Sequence, residues 1–286
     1  EARSRVGGRV HTLRDGFECA VELGAMLITG MEQNPLAVLG VEQLGCHAHN
    51  VVESCVLRDA KTGDVLEGNL DALAEKYYNQ TLEQTAADRK KYKESETLSL
   101  GQIFQATLDA AIRNESAVPQ SDLRRAVGWH VSNLEYGCAA TLEQVSLAHW
   151  DQDDPYGFEG DHVLIKGGAD RIPQALAEGL HVRLGHCASK VTYSESGKCT
   201  VQLTNAEGRP ATVTADFVVV AVPLGVLQAN AITFSPALPL SKQQSVAALG
   251  NGNLNKICLQ FERQFWGPEI YFGIVDSDAA PEVCRG

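Results

Sequence analysis

A continuous apolar run, Phe217 to Val222, narrows the folds open to this chain. A strand with no polar face cannot lie on a half-solvated sheet. It is buried on both sides, as in parallel sheets flanked by helices. The run therefore predicts an α/β protein, and the preceding segments agree. DHVLIKGG, residues 161–168, reads as a short strand ending in Gly-Gly. ADRIPQALAEGL, residues 169–180, reads as a helix closed by Gly179. Residues 181 to 224 read as several strands with turns at Ser196-Gly197 and Glu207-Gly208.

The first half has a different texture. Residues 1 to 30 read as a strand end, a Gly-rich turn and a short extended segment. NPLAVLGVEQLG gives a short helix beginning near Asn34-Pro35, where proline suits the first turn. Residues 52 to 67 read as a hairpin turning at Lys61-Thr62-Gly63-Asp64. Leu70, Leu73, Ala74, Tyr77, Tyr78 and Leu82 carry a helical period through residues 69 to 93. Two more helices are expected over 98–114 and 120–137, with Ser121 as cap of the second. The alternation of blocks suggests two intertwined domains. Residues 1–49 and 157–252 would form one, residues 50–156 and 253–286 the other.

The chain's 286 residues are enough for a sizeable core. No apolar run approaches the roughly 20 residues of a membrane helix, and no signal peptide opens the chain. The formal net charge of -12 argues against direct nucleic-acid binding through a broad basic surface. Acidity suits cationic ligands such as amines or basic peptide tails; it also serves plain solubility. The eight cysteines are widely spaced and form no CxxC pair, so they read as reduced thiols rather than a disulfide scaffold or a metal site. His149, His162, His181 and His186 show neither triad nor metal spacing, and no nucleophile elbow is present.

The opening string EARSRVGGRVHT carries the chemistry. In a dinucleotide-binding βαβ unit an acidic residue ends the second strand and bonds the ribose hydroxyls. Glu1 fits that acid. Gly7-Gly8 lets backbone approach a diphosphate closely, and Arg9 can neutralise charge there. Gly-Gly-Arg alone also describes a plain surface turn. The full string E-A-R-x-R-x-G-G-R is far more specific: it resembles a signature of the flavin-containing amine oxidases. GAMLITGMEQNPLAVL (24–39), the long segment from Trp129 to Gly168, VVVAVPLGVL (218–227), ITFSPALP (232–239) and LGNGNLNKICLQF (249–261) extend the resemblance to nearly the whole chain. The central segment is similar to the lysine-specific histone demethylase branch, in particular its plant-like members.

The resemblance implies a discontinuous FAD-binding Rossmann-like domain, residues 1–49 and 157–252, interleaved with an α+β substrate domain. It implies FAD held by Glu1, Arg3, Gly7, Gly8, Arg9, Gly24, Ala25, Met26, Val191 and Pro223. Val191 and Pro223 would act through backbone, and Val191 reads equally as a core valine. A hydride equivalent leaves the carbon beside an amine nitrogen for the flavin, the iminium hydrolyses, and oxygen takes up the electrons as hydrogen peroxide. With a methylated histone tail as substrate, the products are lysine and formaldehyde. Lys256 precedes an expected apolar strand, where a lysine ordinarily lies at the surface. The resemblance instead gives it the catalytic role of orienting a water beside the flavin. Thr29, Asn133, Cys138, Ala139, Asp151, Asp153, Asp154 and His162 match substrate positions, with Tyr136 beside them. The WDQDD acids also describe a solvated acidic loop; the resemblance puts them at the mouth that receives a basic tail. A nuclear location follows, with the cytoplasm as second choice.

Two departures from the pattern stand out. The phosphate-binding glycine turn would lie about 20 residues before Glu1, and the family's last flavin segment would lie beyond Gly286. The chain therefore reads as a fragment, expected to bind FAD weakly by itself. The chain runs from the helix ending near Lys93 into SETLSLGQIF without the long helical insertion that docks a corepressor in animal members. Polyamine oxidation, and a non-catalytic binding fragment, remain alternative functions.

Overall fold

The computed structural model describes residues 1–51, 55–92, 96–194 and 197–276. In chain order it runs through β1 (Thr12–Leu13), β2 (Val21–Glu22), β3 (Leu27–Ile28), α1 (Pro35–Ala37) with a π-helical continuation over Val38–Gln43, β4 (Ala48–Asn50) and β5 (Cys55–Asp59). The helices α2 (Gly68–Asp88), α3 (Leu100–Ile112) and α4 (Gln120–Cys138) follow. Then come β6 (Val163–Ile165), α5 (Arg171–Ala177), β7 (Cys187–Thr192), β8 (Cys199–Thr204), β9 (Pro210–Ala215), α6 (Leu224–Gln228), β10 (Thr233–Ser235), α7 (Leu240–Ala248) and β11 (Tyr271–Val275). The chain divides into two compact units: Glu1–Val51 with Phe158–Asn251, and Val52–Gly157 with Gly252–Gly286.

The first unit carries most of the sheet. β7, β8 and β9 form an antiparallel meander, and β10 joins β7 in parallel. The turn between β8 and β9 follows from Asn205, whose side-chain oxygen accepts the Glu207 and Arg209 N–H groups while Gly208 supplies a positive φ. A second sheet orders β3, β6 and β4. Its apolar face, Ile28, Val163 and Ile165, packs with Ala37, Cys46 and Ile172 into one core. Asn34 caps α1 by accepting the Leu36 N–H at 2.9 Å, with Pro35 in the first turn.

The second unit is mainly helical. In α3, Leu100, Phe104, Leu108 and Ile112 recur every fourth residue and are all buried, which is the stripe a helix needs to face a core. Ser99 and Gln102 close a capping box at its start. In α4, Leu123, Ala126 and Val127 take the same role. These residues and Ala74 of α2 form one cluster with Leu142, Val145 and Leu147. β5 pairs in parallel with β11. Arg125 of α4 donates to the Asp59 carboxylate at 2.5 Å and to the Asp276 carbonyl at 2.7 Å, tying helix to sheet.

Four expectations need correction or restriction. Phe217 to Val222 is not a strand buried on both faces: Phe217 and Val219 are each 90% exposed. Apolar composition shows what a segment would bury; strand structure needs partner backbone, and among the described residues none pairs with it. Ile257 to Phe261 likewise forms no strand among the described residues, with Ile257 88% exposed. Ser121 is not the cap of α4, since Pro119 occupies that position. Proline's fixed φ already sets up the helix start, so no side-chain acceptor is recruited. The expected 52–67 hairpin is present in short form among the described residues: β5 turns back through Asp59–Asp64, with one bridge between Arg58 and Val65. The Leu66 N–H bonds the Leu57 carbonyl at 2.9 Å and the Asp59 N–H the Asp64 carbonyl at 2.9 Å. Residues 52–54, Ser196 and Cys284 lie outside the described residues, and every described cysteine is a free thiol.

Phe104 is 2% exposed inside the helical core. Phe104→Ala should cost about 3–5 kcal/mol through lost burial and a residual cavity. Urea unfolding followed by far-UV circular dichroism measures this; a loss below about 1 kcal/mol would show that the core closes around the gap.

Candidate active site

The amino-terminal turn is built from glycine backbone. Gly7 and Gly8 have φ of 96° and 54°, a region that favours glycine. The Val10 N–H closes the turn on the Gly7 carbonyl at 2.8 Å. A β-carbon on Gly7 would stand 2.6 Å from the Val10 carbonyl oxygen, whereas one on Gly8 would meet nothing within 4 Å. One glycine is thus required from inside, and the other leaves backbone open to an approaching group. Arg5 locks the turn: its guanidinium donates to the carbonyls of Val6 (3.2 Å), Val10 (3.3 Å) and Gly8 (2.9 Å). Arg5 was not singled out from sequence, although it stands inside the E-A-R-x-R string.

The flanks of this turn are fixed by backbone too. Glu1 accepts the Arg3 N–H at 2.8 Å through one carboxylate oxygen. The carbonyls of Glu1 and Arg3 accept the His186 and Gly185 N–H groups, each at 2.9 Å, beside the start of β7. Arg9 is exposed, and its carbonyl accepts the Ala25 N–H at 3.1 Å. Gly24 lies against the same carbonyl so closely that a β-carbon there would stand 1.9 Å from the oxygen. The structure therefore brings Gly7, Gly8, Arg9, Gly24 and Ala25 together, with half-buried Met26 following. Open backbone at Gly8 and a solvent-facing Arg9 fit a bound diphosphate. Val191 is 5% exposed and lies in β7 between β8 and β10, paired with Val201 and Phe234. Its side chain serves the sheet. Pro223 precedes α6 after the exposed apolar run.

The Thr29–Gly30 segment also meets His162. The His162 Nδ1 accepts the Gly30 N–H at 2.8 Å, so in the neutral ring the proton sits on Nε2. Asn34 is 4% exposed and donates to the carbonyls of Gly30 (2.9 Å) and Thr29 (3.3 Å). Gly30 has a φ of 75°, and a β-carbon there would lie 2.2 Å from the Phe158 carbonyl oxygen. Asn34 and Gly30 position Thr29, and sequence reading had used Asn34 only as a helix start.

In the second unit, Asn133, Tyr136 and Cys138 are exposed on the last turns of α4. Ala139 ends the helix with a φ of 51°, and its N–H bonds the Glu135 and Tyr136 carbonyls. Gly252 packs on this end: a β-carbon on it would stand 1.7 Å from the Ala139 oxygen. The segment leading to half-buried Lys256 thus starts at the end of α4. Partial desolvation of the sulfur, with the charges of Asp153 and Glu135, pushes the Cys138 thiol up.

The acids do not act alike. Both Arg89 guanidinium amines bond Asp151, one at 2.7 Å and the other closer still, and Arg89 also donates to the Ala86 and Ala148 carbonyls. Asp151 is therefore a structural partner, not a free acid at a mouth; a forked guanidinium satisfies both its oxygens. Asp153 and Asp154 are exposed. His130 stacks on Tyr78 at 5.3 Å, and burial lowers its pKa. It serves the core. No group of metal-ligating side chains occurs among the described residues, and none of the helices they form is long and apolar enough to cross a membrane.

A glycine turn laddered onto a second glycine segment, in a mixed α/β architecture, is what the first unit presents. The sequence model of flavin containing amine oxidoreductases matches residues 1–283, and the chain belongs to that family. It is 37% identical over 274 residues to lysine-specific histone demethylase 1 homolog 2 of Arabidopsis thaliana, covering 94% of this chain and 35% of the relative. It is 34% identical over 286 residues to human lysine-specific histone demethylase 2, covering 98% and 34%. The chain thus spans about a third of these relatives' length. A putrescine oxidase redesigned at its cofactor site shares the fold, with a TM-score of 0.57 at 19% identity over 86% of this chain and 56% of that one.

Arg89 holds the Asp151 carboxyl below its usual range. Its stabilisation is present above the unfolded carboxyl range and lost as pH falls through the folded value. Asp151→Asn should therefore lower the urea midpoint at neutral pH, and the gap to wild type should close in acid. A gap that stays constant down to strongly acid pH would show that the ion pair is not its source.

Proposed function

We propose that this chain forms part of a flavin-dependent oxidase that demethylates methylated lysine in histone tails. The observation that carries the flavin reading is the Gly7-Gly8-Arg9 turn, locked by Arg5 and laddered directly onto Gly24-Ala25. The demethylase reading is supported by relatives of that name matching 94% and 98% of the chain. FAD, when bound, supplies the acceptor for a hydride equivalent from the carbon beside the amine nitrogen. The first unit would be its binding domain and the second the substrate domain.

The protein's residues orient and desolvate. Glu1 would accept from the ribose hydroxyls, with Arg3 bracing its carboxylate. The open backbone at Gly8 and the Arg9 guanidinium would meet the diphosphate. Gly24, Ala25 and Met26 would approach the ring, and Val191 and Pro223 would contribute backbone. Lys256 would hold a water at its Nζ and pass a proton there. Thr29, His162, Asn133, Cys138 and Ala139 would shape the amine's surroundings. Asp153 and Asp154 remain the acids able to attract a basic tail, since Asp151 is held by Arg89. The net charge of -12 favours such a partner over nucleic acid, and a chromatin substrate would call for a nuclear location.

The test uses the full-length protein with peroxide and formaldehyde release as readouts. A dimethylated histone peptide should be turned over, and spermine should not. Efficient turnover of spermine alone would replace this reading with polyamine oxidation, and no turnover of either would leave a binding module. Lys256→Ala should retain flavin while slowing peptide oxidation roughly 10²–10⁴-fold, the scale of a lost proton-transfer group. A near-normal rate would remove Lys256 from the chemistry.

A further inference from the structure

The β1–β2 hairpin joins the Gly7-Gly8-Arg9 turn to the Gly24–Met26 segment. Its pairing runs Thr12 with Glu22 and Leu13 with Val21. The ladder continues through the Leu23 N–H on the His11 carbonyl (2.8 Å) to the Ala25 N–H on the Arg9 carbonyl (3.1 Å). The strands are only two residues each, and so short a hairpin is marginal in water by itself. Something else must fix it in place.

Three side chains of the hairpin grip the loop before α5. Arg14 bonds both Asp170 oxygens, at 2.9 and 2.7 Å, and the Gly167 carbonyl at 2.7 Å. Glu22 accepts the Ala169 N–H at 2.6 Å. Thr12 donates to the other Glu22 oxygen at 2.9 Å and lies 3.3 Å from the Asp170 N–H. Asp170 is 8% exposed and accepts a further bond from Gln174. Gly168 lets the two segments close: a β-carbon there would stand 2.6 Å from the Thr12 methyl and 2.7 Å from an Arg14 amine. An ionised carboxylate this buried is held only by such a partner.

We propose that Arg14, Glu22 and Asp170 are positioning residues for the cofactor: they set the hairpin that places the Gly8–Arg9 backbone and the Gly24–Met26 segment around one ligand. None of the three touches the ligand; they act through the hairpin. The inference rests on the flavin reading above. Breaking the fork frees the hairpin to tilt about its short ladder, and both glycine segments lose their common register. The consequence is weaker FAD binding, beyond any loss of stability.

The experiment titrates the full-length apoprotein with FAD, reading flavin fluorescence well below each variant's melting transition. Arg14→Ala should raise the FAD Kd roughly tenfold or more while its far-UV circular dichroism stays native. The exchanged pair, Arg14→Asp with Asp170→Arg, should recover the Kd to within about threefold of wild type. Should Arg14→Ala fail to fold, Glu22→Gln carries the test, with a rise of about threefold expected. A wild-type Kd in a variant that has only lost melting temperature overturns the proposal, because that is what a purely structural pair would give. Failure of the exchanged pair to recover also overturns it. If wild-type protein binds no FAD at all, the flavin reading itself fails.

Discussion

The candidate cofactor site depends on one backbone approach: Gly24 against the Arg9 carbonyl. A β-carbon at Gly24 would fall 1.9 Å from that oxygen, well inside van der Waals contact, so only glycine permits the ladder bond from Ala25 to Arg9. That bond brings two segments 15 residues apart in sequence, Arg9 and Gly24, into register. Neighbouring side chains brace this contact. Arg5 holds the turn on one side, and the Arg14–Asp170 fork holds the hairpin on the other. From Met26 the chain passes into β3, whose pairing with β6 carries it to the His162–Gly30 bond.

The second unit follows different physics. Its helices are positioned by side-chain burial, with α3 and α4 each presenting an apolar stripe to one core. Arginine then fixes the connections. Arg125 joins α4 to β5, and Arg89 joins the end of α2 to the loop after Trp150. Such forked pairs specify geometry more than they add stability. The close seat of Gly252 on Ala139 is again a glycine contact, and it starts the Lys256 segment at the end of α4.

Much of this was legible in the sequence, for identifiable reasons. The helices were visible because burial in α3 and α4 repeats with the period of the helix. The glycine turn was visible because its string is long and unusual. Arg5 was legible in principle, but a guanidinium that folds back on its own turn leaves no periodic trace. The pairing of Asp151 was not legible because an acid in an acidic run looks solvated; its partner Arg89 lies 62 residues away. Phe217 to Val222 and Ile257 to Phe261 were read as strands from composition alone. Strand structure is a property of pairs, and among the described residues neither segment joins a sheet.

The most direct measurement is the flavin content of the full-length protein after gel filtration, compared with that of Gly24→Val. The wild-type protein should elute yellow, with flavin close to stoichiometric. The valine variant should elute folded but nearly colourless, because its side chain cannot lie beside the Arg9 carbonyl. A colourless wild type, or a valine variant as yellow as wild type, would contradict the claim that this backbone approach builds the cofactor site.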